Sequence, residues 1–327
     1  MKHISILVPE GDTSLSNLEA THKMFTMANG HLERSGQSLL FDVHLVGRSS
    51  KSQVSNGIFS IKPDCTIEEV KKTDLIIIPA IHGDIHKILK LNLDFIPWIK
   101  AQYEKGAEVA SLCIGAFLLA KTGLLNGKSC ATHWLMTKAF REMYPEVQLV
   151  DDKIITDEAR IYTSGGAYSS LNLNLYLIEK FVGRDMAILS SKIFEIDINR
   201  QSQSPFIIFK GQKCHSDKAV KDAQEYIELN FNEKLTVDGL SEMYAIGRRT
   251  FERRFKKATS NTVIEYIQRV RVEAAKKKLE ANGASINEVM YEVGYNDAKT
   301  FRELFKKLVG MSPLDYRNRY YKEVEMV

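Results

Sequence analysis

Along the first 200 residues, short apolar runs alternate with segments whose apolar residues recur every three or four positions. The runs that predict strands are Ile4–Val8, Leu40–Val46, Leu75–Pro79 and Val109–Leu112. The segments that predict helices are 18–29, 95–105 and 114–121. Leu75–Pro79 is continuously apolar, as in a strand buried on both faces. This alternation predicts an α/β sandwich with a mainly parallel sheet.

Beyond a polar stretch at 199–215 the strand signals disappear. Helical periodicity then predicts an all-α region with helices at 217–230, 236–244, 248–258, 262–280, 285–292, 298–308 and 313–321. The chain is therefore divided into a sandwich domain (1–200), a linker (201–216) and a helical domain (217–327). Phe206–Phe209 is an apolar run within the linker, and we expect it to pack on a neighbouring element.

The helical domain contains an internal repeat. Segments 235–257 and 285–307 each show a short helix, a glycine, and a second helix with two phenylalanines four positions apart. These pairs are Phe251 with Phe255, and Phe301 with Phe305. Repeated helix-turn-helix units of this size predict two copies of one DNA-reading module.

Basic residues concentrate on the second helix of the first unit, where 248–257 holds six of them against one acid. With the phenylalanines facing inward, Arg249, Arg253 and Lys256 fall on the opposite face. Arginine binds phosphates and guanine edges with its planar fork. The predicted DNA-contacting residues are Arg248, Arg249, Thr250, Arg253, Lys256, Lys299, Thr300, Arg302 and Lys306. A single basic helix could equally be a solvated surface, but two in a repeated frame favour DNA.

The segment 236–320 resembles the tandem helix-turn-helix domain of AraC-type transcriptional regulators. The resemblance rests on stretches 248–257, 271–279, 292–297 and 310–317, together with the second phenylalanine pair. It implies that the helix at 262–280 rigidly joins two recognition helices, which enter successive major-groove segments. Three positions depart from the pattern: Gly247, Ser260 and Met290. We expect them to tune stability, because glycine is a tolerable N-cap.

In the sandwich domain, Cys113 follows a predicted strand and opens a helix. A helix N-terminus favours a thiolate, and a cysteine with a histidine such as His133 can act as nucleophile and base. The alternative interpretation is a buried structural cysteine with an unrelated histidine.

The stretch Ser111–Gly127, with Ala131–Trp134 and Thr163–Ala167, resembles the nucleophile-elbow region of the DJ-1/PfpI superfamily. Enzymes of that superfamily use an acidic partner, but Asn17 stands where related hydratases carry aspartate, and an amide cannot act as a carboxylate base. The resemblance therefore implies a metabolite sensor rather than an enzyme, and we assign no catalytic residue. The predicted ligand-binding residues are Asn17, Cys113, Ile114, His133, Trp134, Ser164, Gly165 and Gly166. Backbone amides at the elbow would favour a carboxylate or similar anion. A cysteine-dependent hydrolase, hydratase or amidase and a redox sensor remain the alternatives.

Composition refines this interpretation. The 327 residues suggest two domains, and the net charge of +4 is too small to indicate a nucleic-acid partner by itself. The N-terminal apolar run is too short for an export signal, and no stretch is long enough to span a membrane. The four cysteines show no zinc-binding spacing, so we predict neither a metal nor a cofactor. Because the cysteines are scattered and no export signal is expected, we predict a cytoplasmic protein. The expected partners are double-stranded promoter DNA, a small-molecule effector and a second copy of the chain.

Overall fold

The computed structural model describes residues 1–54, 57–281 and 284–321, and the chain divides into two compact units, 1–203 and 204–327. A seven-stranded sheet forms the centre of the first unit. Its strands are β1 (Lys2–Val8), β2 (Phe41–Gly47), β3 (Cys65–Thr66), β4 (Leu75–Ile78), β5 (Glu108–Ser111), β6 (Ile155–Glu158) and β7 (Ile161–Ser164). Their spatial order is 6-7-5-4-1-2-3, and every neighbouring pair is parallel except β6–β7. The predicted sandwich with a mainly parallel sheet is confirmed.

Helices cover both faces of this sheet. They are α1 (Leu15–Arg34), α2 (Ile85–Leu91), α3 (Phe95–Glu104), α4 (Ala116–Lys121), α5 (Thr137–Met143), α6 (Ser169–Val182) and α7 (Arg184–Ile193). One apolar core joins α2 to α5 with one face, and the other joins α1, α6 and α7 with the opposite face. Strand β1 feeds both cores because its side chains alternate, with Leu7 in the first core and Ile6 in the second. All four residues of β4 are buried, as its continuous apolar run predicts.

Outside the main sheet, the first unit has short strand pairs. Residues 12–13 pair with 81–82 and residues 52–54 with 59–61 in antiparallel fashion, and residues 129–130 pair with 148–149 in parallel. The apolar pattern alone did not single out helices α2 and α5, which have only seven residues each. Two turns of helix carry too few apolar repeats for periodicity to be read.

The second unit is helical, and its helix boundaries confirm the periodicity within one or two residues. The helices are α8 (Lys218–Leu229), α9 (Val237–Met243), α10 (Arg248–Thr259), α11 (Val263–Ala281), α12 (Ile286–Glu292), α13 (Ala298–Val309) and α14 (Pro313–Tyr320). Each helix-turn-helix unit has its own core, one around Phe251 and Phe255 and the other around Phe301 and Phe305. Among the described residues, no helix combines the length and apolarity needed to cross a lipid bilayer.

Part of the segment assigned to the linker packs on the second unit. The ring of Phe209 meets Tyr266 edge-on at 5.2 Å, and its backbone N–H donates to Glu273 at 3.1 Å. Lys276, which is only 4% exposed, donates from Nζ to the carbonyl of Ile207 at 2.6 Å. The expectation that Phe206–Phe209 packs on a neighbour is thus met for Phe209, which lies against α8 and α11 residues.

The two recognition helices end in the same way but with different residues. Helix α13 ends at Gly310, whose φ is 81°, whereas α10 ends at Ser260, whose φ is 58°. Both backbones are left-handed, and both N–H groups bond to the carbonyl four residues earlier. This conformation strains residues that have a Cβ, so Ser260 holds a position suited to glycine.

We therefore expect Ser260→Gly to stabilise the second unit by about 1 kcal/mol, because it removes left-handed strain at a helix end. Urea unfolding followed by circular dichroism measures the change. Ser260→Ala is the matched control, since it keeps the Cβ and should give no gain. Equal stabilities of the glycine and alanine variants would contradict the strain argument.

Candidate functional sites

The first candidate site is the outer face of α10. Phe251 and Phe255 are fully buried, and this orientation leaves Arg249, Arg253 and Lys256 exposed. None of these three cations forms an ion pair with any residue that the structure describes. Thr250 is also exposed, on the first turn of the helix. The basic stripe expected from the sequence is therefore present as a solvent-facing row.

The remaining arginines of α10 have partners within the protein. Arg248 bonds to both carboxylate oxygens of Asp238 at 2.9 and 3.1 Å. Arg254 grips Asp217 with two bonds of 2.6 and 2.8 Å, and this pairing keeps the pKa of the aspartate below its usual range. Arg254 thus fastens α10 to the cap of α8, whereas Arg248 is a predicted DNA contact already engaged in an exposed ion pair.

Helix α13 offers the second basic face. Lys299, Thr300, Arg302 and Lys306 are all exposed, while Phe301 and Phe305 are buried. Asp297 caps this helix by accepting the N–H of Thr300 at 2.7 Å. Helix α10 has Gly247 at the equivalent position and no side-chain cap. In both recognition helices the phenylalanines therefore face the core and the cations face solvent, but the helices differ in their N-caps and in their charge.

The other candidate site is the turn between β5 and α4. Cys113 sits there with a φ of 54°, a left-handed conformation that non-glycine residues rarely adopt. Gly115 allows the turn to press against the end of β4, because a Cβ there would lie 2.6 Å from the carbonyl oxygens of Ile78 and Pro79. Such strain is typical of positions that present a side chain for function.

Around Cys113 the polar groups already have partners. Its N–H donates to Ser164 Oγ at 3.0 Å, and its carbonyl accepts from the Thr132 hydroxyl at 2.9 Å. Its Sγ accepts the N–H of Ala167 at 3.4 Å. Burial raises the pKa of the thiol, and the Ala167 and Ile114 amides only partly offset it. The elbow thus opposes the thiolate expected from a helix N-terminus, because desolvation outweighs the amide bonds.

His133 lies beside this turn but not on the thiol. Its Nδ1 accepts the N–H of Leu135 at 3.1 Å, and within the described chain it shares no hydrogen bond with Cys113. Burial, with a smaller contribution from His82, lowers the pKa of the imidazole. Gly166 packs against its ring, since a Cβ there would come within 2.5 Å, and Trp134 stacks obliquely at 5.7 Å. The neutral imidazole of His133 therefore packs along one side of the candidate site.

Asn17 joins the same site through a chain of hydrogen bonds. Its Oδ1 accepts the N–H of Ala80 at 3.0 Å, and its Nδ2 donates to Ser170 Oγ at 3.1 Å. The hydroxyl of Ser170 in turn donates a hydrogen bond to the carbonyl of Ala167 at 3.0 Å. Position 17 therefore needs one acceptor and one donor, which an amide supplies and a carboxylate does not.

Gln203 is a site residue that the sequence did not indicate, since it lies in the polar stretch assigned to the linker. It is 1% exposed, and its Oε1 accepts the N–H of Gly166 at 3.2 Å. Its Nε2 donates to the carbonyls of Thr132 and Lys153 at 3.1 and 3.2 Å. No local pattern could have revealed it, because the contacts bridge positions 37 to 71 residues apart.

The first unit also contains a cavity of about 330 Å³, whose lining does not include Cys113 or His133. It is lined by Lys153, Ile154, Ile155, Asn172, Leu175, Tyr176, Glu179, Arg184, Ile198, Arg200 and Gln201. Asn172 is fixed in its wall by donating to the carbonyl of Asp197 at 2.7 Å. This volume suits a small metabolite.

His3, Asp42 and His44 also approach one another, with potential ligand atoms within 4.8 Å. His44 Nε2 already bonds to Asp42 at 2.7 Å, and the two imidazole rings are stacked 4.8 Å apart. Burial and the neighbouring His44 lower the pKa of His3. This cluster is a closed local network on neighbouring strands β1 and β2.

A DJ-1-like sandwich with a cysteine elbow, followed by two helix-turn-helix units with exposed basic helices, defines a class of DNA-binding regulators. Comparison with protein families supports each part. Residues 20–180 match the DJ-1/PfpI family, and residues 240–319 match a helix-turn-helix domain.

Curated relatives match either most of the chain or less than half of it. The transcriptional regulator GbdR of Pseudomonas aeruginosa is 24% identical over 93% of this chain and 81% of its own length. An HTH-type transcriptional regulator from the cgkA 5′ region of Pseudoalteromonas carrageenovora is 31% identical over 40% of this chain and 75% of its own. Isonitrile hydratase of Pseudomonas putida is 30% identical over 45% of this chain and 62% of its own. The chain belongs to the AraC-type transcriptional regulators that carry an N-terminal DJ-1/PfpI domain.

The burial of Cys113 leads to a prediction about thiol chemistry. Because its pKa is raised, less of it is thiolate near neutral pH, so we expect iodoacetamide to modify it at least about tenfold more slowly than the exposed Cys214. Mass spectrometry of each cysteine peptide measures both rates in one sample. The Cys113 rate should rise as the pH is raised. Cys113 reacting as fast as Cys214 would instead revive the redox-sensor hypothesis.

Proposed function

We propose that this regulator contacts promoter DNA through the exposed faces of α10 and α13, and that its first unit binds a small-molecule effector beside Cys113. The observation that carries the DNA contacts is the row of exposed cations on two repeated helices, of which Arg249, Arg253 and Lys256 form no ion pair with any described residue. Arg249, Arg253 and Lys256 are solvent-facing, and the repeat places Lys299, Arg302 and Lys306 on the matching helix. Exposed guanidinium and ammonium groups can bind phosphates and guanine edges in successive major-groove segments.

The effector site is proposed at the convergence of the elbow, the Ser164–Gly166 turn and the His133 ring. Hydrogen bonds and close packing join these residues into one buried cluster, and Asn17 is linked to it through Ser170. The elbow amides are poor candidates for a bound anion. Those of Cys113 and Gly115 donate to Ser164 and Leu112, and that of Ile114 faces the thiol.

We propose further that the first unit is a sensor without cysteine-dependent catalysis. Cys113 has no histidine or carboxylate on its sulfur within the described residues, and burial disfavours its thiolate. Asn17, which the resemblance aligns with the acid of related hydratases, is engaged in hydrogen bonds to Ala80 and Ser170. A nucleophile without a base reacts slowly, so these features argue against the hydratase, hydrolase or amidase alternative.

The proposal includes a homodimer acting in the bacterial cytoplasm. A regulator that reads chromosomal promoters works in the compartment that holds the chromosome. Two copies would double the number of recognition helices on a site, which raises affinity by linking binding events. Sedimentation velocity of the full chain tests this, and a monomer at all concentrations, with and without DNA, would contradict it.

The DNA contacts are tested with Arg249→Ala combined with Arg253→Ala. Each lost phosphate or base contact should weaken binding, so we expect affinity for the upstream region of the gene to fall by roughly tenfold to a hundredfold. The salt dependence of binding should also become shallower by about 0.9 per lost phosphate contact. Fluorescence anisotropy at several salt concentrations measures both quantities.

Two matched controls accompany this measurement. Lys100→Ala with Lys121→Ala removes the same charge from exposed positions of the first unit and should leave binding unchanged. Arg254→Ala should lower the unfolding temperature, because it breaks the Asp217 pair, whereas Arg249→Ala should not. Unaltered DNA binding by the double variant would remove α10 from the proposed interface.

The sensor proposal predicts that the parent protein turns over neither small amides nor isocyanides. Cys113→Ser should also retain the promoter response, because the sulfur plays no chemical part. Product formation followed by chromatography, with DNA binding measured on the same samples, checks both. Turnover that disappears in Cys113→Ser would establish the enzyme alternative.

A further inference from the structure

Both polar atoms of the buried Gln203 carboxamide are hydrogen-bonded to backbone groups. It receives one N–H, from Gly166, and gives its two protons to the carbonyls of Thr132 and Lys153. We call these three backbone groups the carboxamide cradle. An amide group offers one acceptor oxygen and two donor hydrogens, so the match is complete.

The cradle is shaped closely around this group. A Cβ on Gly165 would lie 3.1 Å from the carboxamide atoms, so a glycine leaves the space that the amide fills. The cradle also lies within the proposed effector site. Gly166 backs onto the His133 ring, and the hydroxyl of Thr132 holds the carbonyl of Cys113.

The arrangement of one donor beside two acceptors discriminates between ligands. A carboxylate has no N–H and would place its charge against two carbonyl oxygens. An ammonium group could serve the carbonyls but would leave the Gly166 N–H without a partner, which is costly in a buried place. A primary carboxamide serves all three groups. Lys153 and Gln201 also line the cavity of about 330 Å³, which gives room for the rest of a larger molecule.

Gln203 is held by a short strap, residues 201–203, with few backbone bonds. The N–H of Gln203 donates to Asp152 at 2.8 Å, and Ser202 forms an isolated antiparallel bridge with Lys153. The hydroxyl of Ser202 donates to the carbonyl of Asp152 at 2.9 Å, and the N–H of Ile154 donates to the carbonyl of Gln201 at 3.4 Å. Gln203 is therefore the principal buried anchor of the strap, since Gln201 is exposed and Ser202 only half-buried.

We propose that the carboxamide cradle is the subsite for a primary carboxamide on the effector, and that Gln203 occupies it in cis as a tethered competitor. This inference rests on the proposed effector site. A carboxamide ligand takes over the three hydrogen bonds, and the strap then keeps only its bonds to residues 152–154 and is released more readily. Because Ser204 begins the second unit, release of the strap lengthens the free chain that joins the two units. Ligand binding thereby reaches the DNA-binding unit through the covalent chain.

The test is chemical rescue of Gln203→Ala in the full-length protein. The variant retains Cβ, so acetamide supplies the missing atoms of the side chain, while acetate has the same shape but cannot donate. We expect the variant to unfold roughly 5 °C below the parent. Acetamide should restore much of that loss, and acetate at equal concentration should not. Gln201→Ala, which removes an exposed glutamine of the same strap, should show neither loss nor rescue.

Limited trypsin digestion gives an independent measurement on the parent protein. Acetamide should speed cleavage after Arg200 about tenfold relative to acetate, because it competes with Gln203 and frees the strap. This experiment also serves if Gln203→Ala does not fold. Equal effects of acetamide and acetate in both assays would overturn the inference. DNA binding measured in parallel distinguishes this failure from failure of the regulator assignment, since the parent should bind DNA in either case.

Discussion

Helix α11 belongs to both apolar cores of the second unit, and the arrangement of the DNA-reading surface depends on this sharing. Val263 and Tyr266 are buried in the first core, while Ala275 and Leu279 are buried in the second. A helix of 19 residues is about 28 Å long, so two cores fixed along it hold their recognition helices at a set separation. Successive major-groove segments lie about 34 Å apart, and a continuous helix is a suitable ruler for that spacing.

A different constraint governs the first unit, where the tight turn at Cys113 has become a structural junction. The left-handed backbone and the close approach at Gly115 fix the cysteine at the junction of β5 and α4. Its surroundings are filled by hydrogen bonds that end on Ser164, Thr132 and Ala167. Asn17 bonds in both directions, as an amide can and a carboxylate cannot.

The sequence predicted the fold well where the signal was periodic. The helices of the second unit and strand β4 follow from apolar spacing, and the exposed stripe on α10 follows from its phenylalanines. The prediction that residues 201–216 form a linker did not indicate Gln203, because a polar residue reveals nothing of a partner 71 positions away. Helical spacing left Arg254 out of the predicted DNA contacts, but its partner Asp217, 37 positions away, had no local signal. Long-range polar contacts leave no local pattern.

The small net charge of the chain does not describe the surface of α10, where the position of each cation decides whether it is free. Two arginines of α10 form ion pairs, Arg248 with Asp238 and Arg254 with Asp217. The cations that remain unpaired on α10 are those turned away from the core by Phe251 and Phe255. Attraction to DNA of arbitrary sequence scales with the number of phosphates neutralised, so it depends on where the exposed cations lie rather than on the net charge of the chain. Its selectivity then depends on base contacts, which two rigidly spaced helices can make only where the sequence fits both.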